Sequence, residues 1–234
     1  MADSRSPRPE AEPRDAIGPR LRPASVHPGR ILQCFDHFVI DLRGEGPAAA
    51  YFTVYAVEYS PDLGTGHVAF LRTREADGRE LDLTLTDSPA LAARMQERLR
   101  HLTATRDVSR GIGTRLEQAA ELATFQRLPW TAEGVAWTIH SQGGPTIEAH
   151  WLEPEEPIWT AAMAGTFTPE RDILGMLAGF GAAALTVDGD PVPGRPWQDP
   201  WWASRLGRPF SSTHVALAEA SLTPAGSWWD GLHG

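Results

Sequence analysis

FDHFVIDLRGEGPAAAYFTVYAVEY, residues 35–59, is the stretch that decides the fold. Two runs rich in Val, Ile, Phe and Tyr flank a polar break at residues 44–47 that contains Gly and Pro. Strand-forming residues on both sides of a short loop are typical of a β-hairpin. We therefore expect the folded part of the chain to begin with two antiparallel strands.

Acidic side chains share a face with the apolar residues of this hairpin. Because side chains alternate between the two faces of a strand, Asp36 and Glu58 each lie on the apolar side of their run. A loop centred on Pro47 pairs Leu42 with Phe52 and places Asp36 opposite Glu58. Two adjacent carboxylates on an apolar surface cannot both ionise without a cost, so the pair is a candidate general acid and base. The alternative is that both acids end their strands in solvent.

A second hairpin is predicted over residues 67–85, with a tight turn at Asp77-Gly78. A two-residue turn pairs Arg72 with Leu83. Arg72 then either extends to the edge of the apolar face or is the counter-ion of Asp36 or Glu58. This register would place the following residues on one apolar face: Val68, Phe70, Leu81, Leu83 and Leu85.

A third hairpin is predicted over residues 134–153, with a loop of odd length at residues 143–145. Its polar face carries His140 and His150, with His140 opposite Glu148. Two imidazoles and one carboxylate on one face can bind a divalent metal, and an exposed cross-strand His–Glu pair is the alternative. No other cofactor is expected. The apolar face would contain Val135, Trp137, Ile139, Ile147, Ala149 and Trp151.

Three short helices are predicted. One begins at Ser88-Pro89, where a capping hydroxyl precedes Pro, and its apolar stripe contains Leu91, Met95, Leu99 and Leu102. The others are expected at residues 114–122 and over about ten residues from 168, ending near Gly179.

The C-terminal part contains an irregular Pro- and Trp-rich segment and a last strand. PVPGRPWQDPWW, residues 191–202, is expected to form a loop in which tryptophans either line a mouth or cap one end of the core. In the strand at residues 213–222, Glu219 would share a face with Val215 and Leu217, as a third acid on an apolar surface.

These elements predict a β-rich α+β domain with a mostly antiparallel sheet, curled into a barrel or folded as a sandwich. The domain is expected to span residues 30–224. Residues 1–29 offer little apolar surface and are expected to form a disordered arm, and residues 225–234 a tail.

Composition limits the partners and the chemistry. The net charge of −9 disfavours nucleic acid, and no apolar run approaches the length of a membrane span. Without an apolar signal segment, we expect a cytoplasmic protein. The single cysteine, Cys34, excludes a disulfide within the chain, and the absence of lysine excludes a Schiff base.

Two classes of function fit this pattern. The first is a small-molecule enzyme of the isomerase, cyclase or hydratase type, with Asp36, Glu58 and Glu219 as catalytic acids and bases in an apolar, Trp-lined cavity. A carbohydrate-active protein is a variant of the first class, since tryptophan faces stack on sugars and paired carboxylates cleave glycosides. The second class is a non-catalytic binder or carrier of a hydrophobic small molecule. The expected partner in both classes is a small molecule, and for the enzyme this molecule is apolar or aromatic. The candidate ligand-binding residues are Tyr55, Arg72, Trp137, Trp151, Trp197 and Trp201.

Overall fold

A computed structural model describes residues 31–44, 49–74, 78–105, 119–162 and 171–222. The predicted arm at 1–29 and the predicted tail at 225–234 lie outside these residues. In chain order, the described elements are β1 (Ile31–Arg43), β2 (Ala49–Tyr59), β3 (Gly66–Arg74), β4 (Glu80–Thr86), α1 (Pro89–Thr105), β5 (Glu121–Arg127), β6 (Gly134–Ser141), β7 (Thr146–Pro154), β8 (Ile158–Ala162), β9 (Asp172–Val187), β10 (Asp190–Pro191), α2 (Pro200–Leu206) and β11 (His214–Leu222).

Backbone pairings join nine of these strands into a closed ring. Each strand from β1 to β7 pairs with the next, β7 pairs with β9, β9 with β11, and β11 with β1. Among the described strands, β4 and β5 form the one parallel pair, connected through α1. β8 and β10 pair with β9 outside the ring. The predicted β-rich, mostly antiparallel sheet is confirmed, with two helices in the described residues where three were expected.

One apolar core fills the interior of the ring. Phe38, Phe52, Trp151 and Phe180 are fully buried, so they contact other protein atoms on every side. The indole N–H of Trp151 donates a hydrogen bond to the carbonyl of Val39 at 2.8 Å. A side chain of β7 is thereby tied to the backbone of β1 across the core.

Two helices cover parts of the outer face. α1 packs Leu91, Met95 and Leu99 over β1, β2 and β3, and α2 packs Trp202 and Leu206 over β9 and β11. Several strands are therefore apolar on both faces. The outer residues beneath α1 are Phe35, Tyr55, Val57, Val68 and Phe70.

The first hairpin is confirmed, but its predicted register is wrong by two residues. Ile40 pairs with Phe52, and Asp36 pairs with Ala56 instead of Glu58. The apolar faces survive because a slip of two preserves the alternation. The pairing of β1 with β2 shifts by one residue next to Glu58, which makes Glu58 the extra residue of a β-bulge. Its side chain is exposed.

The second hairpin is displaced by one residue from the predicted register. Leu71 pairs with Leu83, and Arg72 pairs with Asp82. Val68 and Phe70 therefore face α1 and not the ring interior. Because β3 is apolar on both faces, its hydrophobic pattern did not distinguish the two registers.

The third hairpin has the predicted odd loop, and its expected apolar face is buried. Ile139 pairs with Ile147, so His140 lies opposite Thr146. The predicted pairing of His140 with Glu148 is wrong, again by a slip of two residues.

The helix predictions were correct only for α1. β9 occupies residues expected to be helical up to Gly179, and Glu121–Arg127 is a strand where the helix at 114–122 was expected to end; residues 114–118 lie outside the described part. α2 was missed within the segment interpreted as a loop. Its signals were present: Asp199 accepts a hydrogen bond from the Trp201 N–H at 2.8 Å, Pro200 follows, and Gly207 ends the helix at φ 66°.

Replacing Gly134 by alanine is expected to lower the free energy of unfolding by at least about 2 kcal/mol. Gly134 begins β6 at φ 147°, and an added Cβ would lie 1.8 Å from the carbonyl oxygen of Trp151. Urea denaturation measures the change. Gly143→Ala is the matched control, since a Cβ there meets nothing within 4 Å. Equal stability of both variants would contradict the close approach of β6 and β7.

Candidate active site at one end of the ring

A row of side chains crosses four neighbouring strands at one end of the ring. Asp36 on β1 pairs with Ala56 on β2, and Ala56 pairs with His67 on β3. Asp87 follows the last residue of β4 and contacts His67. Because Ala56 belongs to the interior core, the row lies where that core meets solvent.

His67 and Asp87 form a hydrogen-bonded dyad. His67 Nδ1 lies 2.6 Å from Asp87 Oδ2, and the backbone N–H of His67 donates to Oδ1 at 2.7 Å. An ionised carboxylate only accepts hydrogen bonds, so Nδ1 carries a proton toward Asp87, and in the neutral form of the ring Nε2 is the acceptor. The two side chains are 31% and 36% exposed, which places the dyad at the surface of the ring end.

An ion pair spans the same end of the ring. Arg127 at the end of β5 donates from Nη1 to Asp36 Oδ2 at 2.7 Å, and Asp36 Oδ1 accepts the backbone N–H of Ala218 at 2.8 Å. Asp36 is 17% exposed and Arg127 is 46% exposed. Asp36 therefore positions a half-exposed guanidinium that comes from the far side of the ring.

Two aromatic rings adjoin these groups. The Phe125 ring stacks on the His67 ring at 5.1 Å, and the Trp137 ring meets the His67 ring edge-on at 5.4 Å. Trp137 pairs with Arg127 across β5 and β6. We call the following set the ring-end site: Asp36, His67, Asp87, Phe125, Arg127 and Trp137.

The three acids predicted from the sequence lie within electrostatic reach of one thiol. Burial, followed by the negative charges of Asp36, Glu58 and Glu219, raises the pKa of the Cys34 thiol. Asp36 belongs to the ring-end site, whereas Glu58 lies exposed on its bulge. A second bulge, at the positive φ of Ala218, changes the register of β11.

This second bulge changes the face on which Glu219 lies. Glu219 pairs with Phe35, which packs beneath α1, and Val215 lies in the interior core. Paired residues share a face, so Glu219 does not share the inner face of Val215 as the alternation predicted.

Most of the predicted ligand-binding residues lie away from the ring-end site. Trp151 is a core residue, and Tyr55 packs beneath α1. Arg72 lies 3.9 Å from Glu80 and follows His67 by five residues, or roughly 17 Å along β3.

Two of the three tryptophans of the Pro-rich segment contact arginines. The Trp197 ring lies 3.3 Å beneath the guanidinium of Arg43, and the Trp201 ring 3.6 Å from that of Arg205. Of the six predicted ligand-binding residues, Trp137 is the one in the ring-end site.

The candidate metal ligands are spread along an outer face. His140 Nδ1 lies 3.1 Å from Thr146 Oγ1, and Glu148 accepts from Thr186 Oγ1 at 3.5 Å. In the parts of the chain that the structure describes, no group of three or more His, Cys, Asp or Glu side chains could hold a metal ion.

Sequence reasoning missed the His67–Asp87 dyad because of the register error in the second hairpin. In the observed register, Arg74 pairs with Glu80 and Val68 with Thr86, which brings His67 next to Asp87. The two-residue turn predicted from the sequence shifts the register of β3 against β4 by one residue, which moves His67 away from Asp87. A predicted connection of five residues between β3 and β4 would have placed His67 next to Asp87.

Two further histidines lie on the outer face, near α2. His37 stacks on Tyr55 at 4.1 Å and shares a hydrogen bond with Thr53 Oγ1 at 2.8 Å. Burial, with a contribution from the charge of His214, lowers the pKa of His37 to about 3. Burial lowers the pKa of His214 to about 4, against the hydrogen bond to the Ser212 carbonyl. Both rings are therefore neutral at pH 7.

Comparisons with protein-family models, with curated proteins and with solved structures gave no match. Neither described helix is long and apolar enough to cross a membrane. The functional argument therefore depends on the geometry of the ring-end site.

Proposed function

We propose that the ring is a β-barrel and that the protein is a small-molecule enzyme which transfers a proton through the His67–Asp87 dyad at the barrel end. The observation that carries this proposal is the dyad beside the Asp36–Arg127 pair, on one row of paired strands. Imidazole is the side chain best suited to proton transfer near neutral pH. Asp87 supports the tautomer in which Nε2 accepts the proton.

The proposed chemistry is acid–base catalysis of the isomerase, cyclase or hydratase type. This is the class expected from the carboxylates, but the base is now a histidine. Asp36 acts as a positioning residue, because its carboxylate is bound by Arg127 and by the backbone N–H of Ala218. Arg127 contributes a positive charge where negative charge develops on a substrate.

The filled interior argues against the alternative of a carrier that holds its ligand inside the barrel. The rings of Trp137 and Trp151 both meet the Phe38 ring at 5.4 Å, and all three side chains are buried. These side chains fill the interior, so a ligand is expected at the barrel end, where Trp137 borders the ring-end site.

Deuterium exchange tests the proposed function without knowledge of the natural substrate. Flat C–H acids such as 1-indanone and indene are incubated in D2O, and loss of the acidic C–H signal is followed by proton NMR. The protein is expected to accelerate exchange, and His67→Gln to reduce the catalysed rate by about 100-fold or more. Asp87→Asn is expected to cause a smaller loss.

His140→Gln is the matched control, because His140 is an exposed histidine on the outer face of β6. Its catalysed rate should equal that of the unsubstituted protein. Exchange that is equally fast in His67→Gln, or no acceleration of any compound, would contradict the proposed function.

A further inference from the structure

We infer that the ring-end site takes an uncharged, flat carbonyl compound, whose oxygen is bound by Arg127 and the indole N–H of Trp137. This inference rests on the proposed function, since it names the substrate class of the same site. It is carried by two neighbouring hydrogen-bond donors and by the charge balance around them.

The first donor is the Arg127 guanidinium. Within the part of the chain that the structure describes, Asp36 contacts Arg127 through Nη1 alone. A guanidinium has five N–H donors, so Nε and Nη2 can serve a ligand while the ion pair holds the group in place. The half-exposed position of Arg127 makes these donors accessible.

The second donor is the indole N–H of Trp137. Among the described residues, no acceptor contacts this buried N–H. Leaving a buried donor without an acceptor is unfavourable, and a ligand oxygen would remove that cost. Trp137 and Arg127 are paired across β5 and β6, so their side chains lie side by side and can approach one oxygen.

The charges of the site favour a carbonyl over a carboxylate. Asp36 offsets Arg127, and Asp87 adds a negative charge beside His67, whose ring must be neutral to act as the base. An anionic ligand would be repelled by this net negative charge, whereas an uncharged carbonyl oxygen can accept both hydrogen bonds.

The aromatic rings favour a flat ligand. The Phe125 ring lies on the His67 ring with an interplanar angle of 17°. Phe125 is half-buried, whereas Trp137 is buried. A flat ligand can take the place of the Phe125 ring against His67, next to the Trp137 ring, whose centroid lies 6.4 Å from that of Phe125. Offset stacking on the displaced Phe125 ring would stabilise the bound ligand.

The reaction that follows is proton transfer next to the carbonyl group. His67 Nε2 takes a proton from the α-carbon, and the C–H electron pair forms a C=C bond. The C=O π electrons move to the oxygen, where Arg127 and Trp137 stabilise the negative charge. The His67 imidazolium then returns the proton to the same carbon or, in a conjugated compound, to another carbon.

A matched set of compounds tests the inference: 1-indanone, indane, which lacks the oxygen, and indane-1-carboxylate. Dissociation constants are measured from the indole N–H shift of Trp137, assigned with Trp137→Phe, and from tryptophan fluorescence. 1-Indanone is expected to bind at least about tenfold more tightly than the other two, the range for a hydrogen bond to a charged donor. Arg127→Met and Trp137→Phe should each reduce this preference to less than about threefold. Arg72→Met, far along β3, should leave it unchanged.

Binding and exchange together separate the two proposals. If 1-indanone is preferred but His67→Gln leaves exchange unchanged, the ligand class is supported and the catalytic function is overturned. Equal affinity for 1-indanone and indane overturns the inference, as does a preference that persists in Arg127→Met. If Trp137→Phe does not fold, Arg127→Met on the surface still decides the question.

Discussion

Replacing Trp151 by alanine is expected to lower the free energy of unfolding by about 3–5 kcal/mol. Trp151 is fully buried, its ring contacts Phe38 and Phe52, and its indole N–H donates to the Val39 carbonyl. The substitution removes this packing and leaves a cavity between β1 and β7. Urea denaturation measures the effect from the transition midpoint and slope.

Trp159→Ala is the matched control for this prediction. Trp159 on β8 is 78% exposed, so its removal should change the free energy of unfolding by less than about 0.5 kcal/mol. Trp151→Phe should cost about 1–3 kcal/mol, since it keeps a ring but removes the buried hydrogen bond to the Val39 carbonyl. Similar values for Trp151→Ala and Trp159→Ala would show that the ring interior is not packed as described.

Lowering the pH from 7 to 4 is expected to reduce the free energy of unfolding by about 3–5 kcal/mol through His37 and His214. Burial holds the pKa of His37 at about 3 and that of His214 at about 4, whereas both are near 6.5 in the unfolded chain. The unfolded state therefore binds more protons between these values. Stability is fully present above pH 6.5 and is lost as the pH falls toward 4. The expected loss of unfolding free energy is smaller than the two pKa shifts together would give, because His37 is partly exposed.

Unfolding curves between pH 7 and pH 5 isolate this effect, because most carboxylates are still ionised there. His37→Gln and His214→Gln should each reduce the pH dependence by about half. His140→Gln, in an exposed position, should leave it unchanged. A pH dependence that is identical in all three variants would contradict the burial of two neutral imidazoles.

The sequence predicted the strands of the first and third hairpins because each has one apolar face toward the ring interior. It predicted only the second part of β9, from Phe180, as a strand, because residues 168–170 were interpreted as the start of a helix that ends near Gly179. The closing of the ring between β7 and β9 depends on residues far apart in the chain, which local patterns do not encode.

Of the candidate site, Asp36 and Trp137 could be found from alternation alone. His67 and Asp87 could not, because β3 is apolar on both faces and the turn at Asp77-Gly78 suggested a two-residue loop. Arg127 was missed because it reaches Asp36 across the ring, from a strand that does not pair with β1. Such contacts follow from the closure of the sheet and not from any pair of adjacent strands.

The tautomer and ligand response of His67 test the central claim most directly. Long-range proton–nitrogen NMR of the histidine rings, with His67→Gln for assignment, reports which ring nitrogen is protonated. In the neutral form of the ring we expect the proton on Nδ1, with an unprotonated Nε2 whose resonance shifts when 1-indanone is added. A ring protonated at Nε2 alone, or an Nε2 resonance that 1-indanone leaves unchanged at saturating concentration, would contradict the assignment of His67 as the base.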